Sequence, residues 1–366
     1  MTVMSRLKQW SDAGELNFSR FMEIALYDES DGYYQKAVKI GLQDADFYTA
    51  AQFSLFSATL GQYAFLRWRD FGEPLELQVV EYGAGQGELA QGIARQLLAT
   101  LPKGVHVRYV IVDPSPMLRQ LQAERLAADG LQNSERIHFC WEEPDASLDT
   151  VFVGNEVLDA LPVEIVRRTK LGWEQAFVTI ADSGQASFSW GAAAPEIASS
   201  AMKYVDCPEG TQAEVCPGLD EFFRQLSRIG RNIRGLFIDY GITTGAWRDG
   251  MRPQGTIRAF SSHRVTDVLS SPGLSDITSD VNWDHAYASA AKAGFRVLPL
   301  QSQGQFLLSS GILNVLESMT DSSAFEDANR RRVALTNQLK QLVLPGGMGE
   351  RFSVMECDWM AGEHSC

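Results

Sequence analysis

Between residues 76 and 155 the chain alternates short, nearly continuous apolar runs with longer segments whose apolar residues recur every three or four positions. The runs "LQVVEY", "VRYVIVD", "RIHFCW" and "DTVFVGNE" read as strands, and "ELAQGIARQLLATL" and "SPMLRQLQAERLAA" read as helices between them. Strands that are apolar on both faces need cover on both faces, so the alternation predicts a parallel, doubly wound α/β sheet between layers of helices. After residue 162 the pattern changes. "PVEIVRRTKLGWEQAFVTIADSGQASFSW" alternates with period two and is cut by "KLG" and "DSG", which predicts an inserted antiparallel β meander. The strand-helix rhythm resumes with "EFFRQLSRIGRNI" and "RGLFIDYG", then "WDHAYASAAKAG" and "FRVLPL". A long helical stretch follows to about residue 342, and "RFSVMECDW" makes a last strand. Ahead of the sheet, "FSRFMEIALY" and "FSLFSATLGQYAFLRW" read as helices on either side of a loop that begins with the turn-rich "DESDGYY". Four regions result: an N-terminal helical extension and lid over 1–74, the first half of the core over 75–162, the meander over 163–215, and the second half of the core with C-terminal helices and last strand over 216–366.

The balance of 46 acidic against 32 basic residues gives a net charge of −14, which works against binding nucleic acid or anionic membrane and suits a basic partner. No apolar run reaches the roughly 20 residues that cross a bilayer, and "MTVMSRLKQW" lacks the apolar core of a secretion signal. A soluble, cytoplasmic protein with no membrane insertion is expected. Five cysteines form no CxxC pair and read as free thiols; the scattered histidines give a metal site little support.

At the first strand-helix junction stands "VVEYGAGQGELA", with Gly83, Gly85 and Gly87 at alternate positions after Glu81. Glycines there let the backbone approach a ligand with no Cβ between, at the N-terminus of the next helix. A dinucleotide site wants its third glycine one residue later, where this chain has Glu88, a carboxylate that would repel a pyrophosphate. The E-x-G-x-G-x-G pattern instead resembles the first motif of class I S-adenosylmethionine methyltransferases, which have a Rossmann-like fold. That resemblance implies that the glycines pass close to the amino acid end of the cofactor, with Glu81 favouring its cationic groups. It puts Asp113, at the end of the second strand, on the ribose hydroxyls, and Trp141 and Glu142, after the third strand, beside the adenine.

A longer match lies further on. "FMEIALYDESDGYY", "DADFYTAAQFSLF", "DPSPMLRQLQ", "FVGNEVLDALPVEIV", "IDYG", "GTIRAFSSHRV", "PGLSDIT" and "QGQFLLSSGI" occur in order between about residues 18 and 311. Together they resemble the MidA-type (DUF185) methyltransferases, whose mitochondrial members assist assembly of respiratory complex I by dimethylating an arginine of one subunit. The resemblance implies a protein acceptor with an accessible arginine, of which a respiratory complex subunit is one instance, and leaves room for a homodimer. The chain departs from the family at Ala45, Gly92, Asp280 and Asn282, where the family commonly has Gly, Asp, His and an acid.

An arginine acceptor is protonated and a poor nucleophile, so carboxylates must orient its guanidinium and help a proton leave. Asn155, Glu156 and Asp159 follow the fourth strand, at the carboxyl edge where open α/β sheets bind ligands. Glu156 is the leading candidate to grip the guanidinium. Capping of a following helix is the competing reading for Asn155 and Asp159. Asp46 and Thr49 sit in a loop that can cover the cofactor or merely turn at the surface. His263 reads as structural, and Asp239 and Tyr240 end a strand near the same crevice. Two other functions fit the same residues: methylation of a small molecule or another side chain, and a SAM-binding assembly factor without catalysis.

Overall fold

The computed structural model describes residues 2–35, 49–261, 264–320 and 325–362. Its main sheet is built from β1 (Glu76–Tyr82), β2 (His106–Val112), β3 (Ile137–Cys140) and β4 (Thr150–Asn155), each followed by the connection its sequence predicts. The meander supplies β5 (Glu164–Thr169), β6 (Gly172–Ile180), β7 (Ala186–Ala192) and β8 (Gln212–Val215), and β9 (Asn232–Asp239) returns to the main sheet. Strand order across that sheet is β3-β2-β1-β4-β9, all parallel, with Ser353–Met360 antiparallel against β9 at the far side. The order reverses at β1, so a crevice opens at the carboxyl ends of β1 and β4.

Helices α1 (Val3–Asp12) and α2 (Phe18–Tyr27) come first, then α3 (Ser54–Asp70), α4 (Glu88–Thr100) and α5 (Pro116–Ala128). The N-terminal helices divide between two cores. Val3, Leu7, Phe18 and Phe21 pack with Ile165, Val178 and Ile180 of the meander, whereas Leu55, Phe56, Leu60 and Tyr63 of α3 pack with Leu89, Ile93 and Val79 of the central sheet. Close approach of α3 to α4 depends on two glycines. A Cβ at Gly61 would lie 2.5 Å from Gln96 Cβ, and one at Gly92 would lie 1.9 Å from Ser57 Oγ. Glycine at 92, where the family commonly has Asp, is therefore a packing requirement of this helix pair.

The meander pairs in the order β7-β6-β5-β8, all antiparallel. A second small antiparallel sheet, Arg258–Ser261 between Arg264–Thr266 and Asp276–Thr278, was not legible as strands in the sequence. "FRVLPL" contributes only the two-residue strand Arg296–Val297, and the long helical stretch is three helices, Gln303–Ser309, Ile312–Thr320 and Phe325–Val343. Among the described residues no helix is long and apolar enough to cross a membrane.

Candidate active site

Two adjoining cavities open at the carboxyl edge of the sheet. The first, about 310 Å³, is lined by the glycine loop, Glu81, Asp113, Pro114, Leu118 and Asn155, among others. Gly83, Gly85 and Gly87 have φ of +62°, +53° and +89°, a region L side chains rarely adopt, so the three glycines are needed by the backbone itself. A Cβ at Gly87 would also meet the Gln122 backbone at 3.3 Å. Glu88, first in α4, lines this cavity and holds Arg125 at 2.5 Å.

Glu81 is buried at the floor. Tyr109 Oη donates to its Oε2 at 2.5 Å, while Oε1 is buried with no hydrogen-bond partner among the described residues. Burial pushes the carboxyl up to about 8, against the pull of the Tyr109 hydroxyl. A buried acceptor of this kind suits a cationic group of a ligand in the cavity. Asp113 is buried at the end of β2, where Ser115 N donates to Oδ1 and Gln122 Nε2 to Oδ2, each at 2.9 Å. Each oxygen keeps a lone pair for a hydroxyl. The residues present therefore fit S-adenosylmethionine: an orphaned carboxylate oxygen, an oriented acid, and a glycine wall without side chains.

Trp141 and Glu142 are not among the residues that line this cavity. Trp141 Nε1 donates to Gln122 Oε1 at 2.8 Å, so it reaches the site through Gln122, whose Nε2 also donates to Gly85 O at 2.9 Å. Gln122, fully buried in α5, joins the glycine loop, Asp113 and Trp141, and the sequence reading missed it. Glu142 faces outward and pairs with Arg108 at 3.2 Å.

The second cavity, about 450 Å³, lies beside the first and shares Tyr34 and Glu156 with it. Asp159, Tyr240, Arg258, Asp276, Arg351 and Phe352 are among its other walls. Glu156 is thus placed at the junction. It has φ +53°, unusual outside glycine, and it follows β4 directly. Thr49 Oγ1 and Asn155 Nδ2, the latter at 3.2 Å, both donate to Glu156 Oε1. Burial raises the Glu156 carboxyl and these donors oppose the rise.

No helix begins after β4: residues 156–163 form a turn and an extended lead into β5. The helix-capping reading of Asn155 and Asp159 therefore fails. What holds this loop is Asp239 at the end of β9, fully buried, whose Oδ2 accepts from the amides of Val157, Leu158 and Asp159 at 3.0 to 3.2 Å and whose Oδ1 accepts from Tyr240 N at 2.9 Å. Tyr240 Oη donates to Asp159 Oδ2, while Asp159 Oδ1 is buried with no hydrogen-bond partner among the described residues. Burial first, then the charge of Glu156, pushes the Asp159 carboxyl well above the carboxylate range.

Thr49 lines the first cavity and its hydroxyl reaches Glu156; Asp46 and His263 lie outside the described residues. The family departures at Asp280 and Asn282 line neither cavity. Asp280 takes Arg258 at 2.6 Å, and Asn282 caps the helix Trp283–Lys292 through His285 N at 3.1 Å.

A reversing, mostly parallel sheet with one antiparallel strand, a glycine loop after β1 and acids ending β1 and β2 define the chain as a class I S-adenosylmethionine-dependent methyltransferase. Residues 59–301 match the model of the Methyltransf_28 family of S-adenosyl-L-methionine-dependent methyltransferases, and the chain belongs to that family. It is similar to the protein arginine methyltransferase NDUFAF7, mitochondrial, of Danio rerio, with 30% identity over 93% of this chain and 82% of that one. The Homo sapiens protein of the same name is 27% identical over 93% and 79%. Among solved structures, a COG1565 superfamily member from Burkholderia thailandensis bound to S-adenosyl-homocysteine superposes with TM-score 0.85 and 32% identity, over 97% of this chain and 91% of that chain.

Proposed function

We propose that this methyltransferase transfers methyl groups to arginine side chains of a protein acceptor, and that the acceptor enters through the second cavity. The observation that carries the reading is the position of Glu156, which lines both cavities and so stands where cofactor and acceptor would meet. The names of the Danio rerio and Homo sapiens relatives support the choice of arginine. The net charge of −14 supports a basic acceptor, and free thiols at Cys140, Cys207, Cys216 and Cys357 support the reducing, cytoplasmic setting that belongs to the same proposal.

The cofactor, when bound, supplies a methyl group already activated on a sulfonium, so the protein's part is alignment and charge control. Glu81 Oε1 would take the cofactor's ammonium, Asp113 its ribose, and the glycine loop its amino acid backbone. On the acceptor side, Glu156 orients the guanidinium so that one nitrogen faces the first cavity. The fork of N–H donors on arginine matches a carboxylate in a way that an ammonium does not. Arrival of a guanidinium also brings the raised carboxyls of Glu156 and Asp159 back to their ionised forms, and Asp159 is placed to take the proton that leaves as the N–C bond forms.

The test is incubation of cell extract with this protein and isotopically labelled S-adenosylmethionine, followed by tandem mass spectrometry of labelled proteins. Label on arginine supports the reading. Label confined to small molecules, to other side chains, or absent altogether overturns it.

A further inference from the structure

Among the described residues three carboxylates line the second cavity: Glu156, Asp159 and Asp276. Asp276 begins the strand Asp276–Thr278 and is 4% exposed. Tyr34 Oη donates to Asp276 Oδ1 at 2.8 Å, just as Tyr240 Oη donates to Asp159. Two tyrosine-held carboxylates therefore share one cavity. An acidic cluster alone would be no site, but Asp159 Oδ1, in a side chain 3% exposed, has no hydrogen-bond partner among the described residues, and Asp159 belongs to the cavity wall. Arg258, on the same wall, is already engaged by Asp280 at 2.6 Å.

A guanidinium brings five N–H donors in one plane, and once desolvated each needs an acceptor. Glu156 at the junction can take two at most. The rest must find acceptors deeper in the second cavity, where Asp159 and Asp276 stand. Resting on the arginine reading above, we propose that Asp276 is a specificity-determining residue that accepts N–H groups of the acceptor guanidinium alongside Asp159, and that Tyr34 is the positioning residue that aims it.

Tyr34 is suited to that role because it is tied to both sides of the site. Its carbonyl accepts from Ser115 Oγ at 2.5 Å, and Ser115 N donates to Asp113 on the cofactor side. Its ring stacks on Tyr27 at 5.5 Å between centroids, and the Tyr27 hydroxyl donates at 2.9 Å to Ala160 O in the loop after Glu156. An ammonium places three donors about one nitrogen, whereas the guanidinium spreads five over three nitrogens in a plane and so reaches Glu156, Asp159 and Asp276 together, and Asp276 thereby discriminates arginine from lysine.

The experiment uses the full chain, labelled S-adenosylmethionine, and blocked peptides with one central arginine or one central lysine. KM and kcat are measured for wild type, Asp276→Asn and Tyr34→Phe, with S-adenosylhomocysteine affinity by calorimetry as the check on folding. Asp276→Asn is expected to raise KM for arginine peptides about tenfold or more, the loss of a charge-assisted contact, and to narrow the preference over lysine. Its S-adenosylhomocysteine affinity should stay within about twofold of wild type, since the cofactor's contacts are elsewhere. Tyr34→Phe, which removes only the hydroxyl, should raise KM by a smaller factor. Transfer to arginine with unchanged KM in Asp276→Asn overturns the inference alone, as does loss of cofactor affinity in step with KM, which marks a structural role. Failure of the wild type to label any arginine peptide sinks the arginine reading, and this inference with it.

Discussion

Cofactor binding should release a proton, and Glu81 is the group that releases it. Its carboxyl is pushed up to about 8 by burial, with one oxygen held by Tyr109 and the other without a hydrogen-bond partner among the described residues. A ligand ammonium on Oε1 favours the ionised form, so binding below pH 8 must expel the proton first. If only the ionised form binds well, affinity follows the ionised fraction, which is about 1% at pH 6 and half at pH 8. Affinity for S-adenosylhomocysteine, which keeps the ammonium but lacks the sulfonium, should therefore rise about 50-fold from pH 6 to pH 8, roughly 2.3 kcal/mol, and level off above. Calorimetric titration in buffers of different ionisation enthalpy counts the proton released at pH 6.5. In the cofactor-free protein the sign for stability is opposite. Folded Glu81 keeps a proton that the unfolded chain loses above its ordinary 4.5, so the contribution of this group to stability falls as pH rises from about 4.5 to 8. Glu81→Gln should flatten both profiles. An affinity independent of pH in the wild type, or the same slope in Glu81→Gln, would refute the assignment of the ammonium to Glu81.

Two further outcomes follow from the packing. Gly92→Asp, which installs the residue common in the family, should destabilise the chain by about 1–3 kcal/mol or more by overpacking against Ser57, read as a lowered denaturation midpoint; an unchanged midpoint would mean that α3 and α4 separate freely. Asp239→Ala strands four peptide N–H groups and should cost more than about 3 kcal/mol, with methyl transfer lost even below the unfolding transition because the loop bearing Glu156 loses its anchor; full transfer in a folded Asp239→Ala would show that the loop holds its shape unaided.

Legibility followed sequence distance. The central sheet, the glycine loop and Asp113 were readable because each is set by local pattern: an apolar strand, a turn that demands positive φ, a helix capped by Ser115. The position of Glu156 at the carboxyl edge was readable because it directly follows β4. The pairing of Asp276 with Tyr34 was not, because it joins residues 242 apart: both lie in stretches that match the family, but nothing in either stretch says that they meet. Gln122 ends the family-matching "DPSPMLRQLQ", but its polar side chain on a helix gave no sign of a role there, which its complete burial with three partners reveals. Trp141 was placed beside the adenine by resemblance alone; the structure joins its indole N–H to Gln122 and leaves it outside the residues that line the first cavity. The capping alternative for Asn155 and Asp159 assumed a helix that the meander displaces. The strands that carry Phe260 and Ile277 are too short to show a period, so the small sheet that holds Asp276 left no signal as strands.

The most direct test of the account is Glu156→Gln, which keeps size and removes the charge at the junction of the two cavities. Methyl transfer to the acceptor protein identified by labelling and calorimetric S-adenosylhomocysteine binding are measured on the same preparation. Transfer should fall by at least about 100-fold, roughly 2.7 kcal/mol of barrier, while cofactor affinity stays within about twofold. Undiminished transfer, or transfer and cofactor affinity falling together, would contradict the placement of the acceptor guanidinium on Glu156.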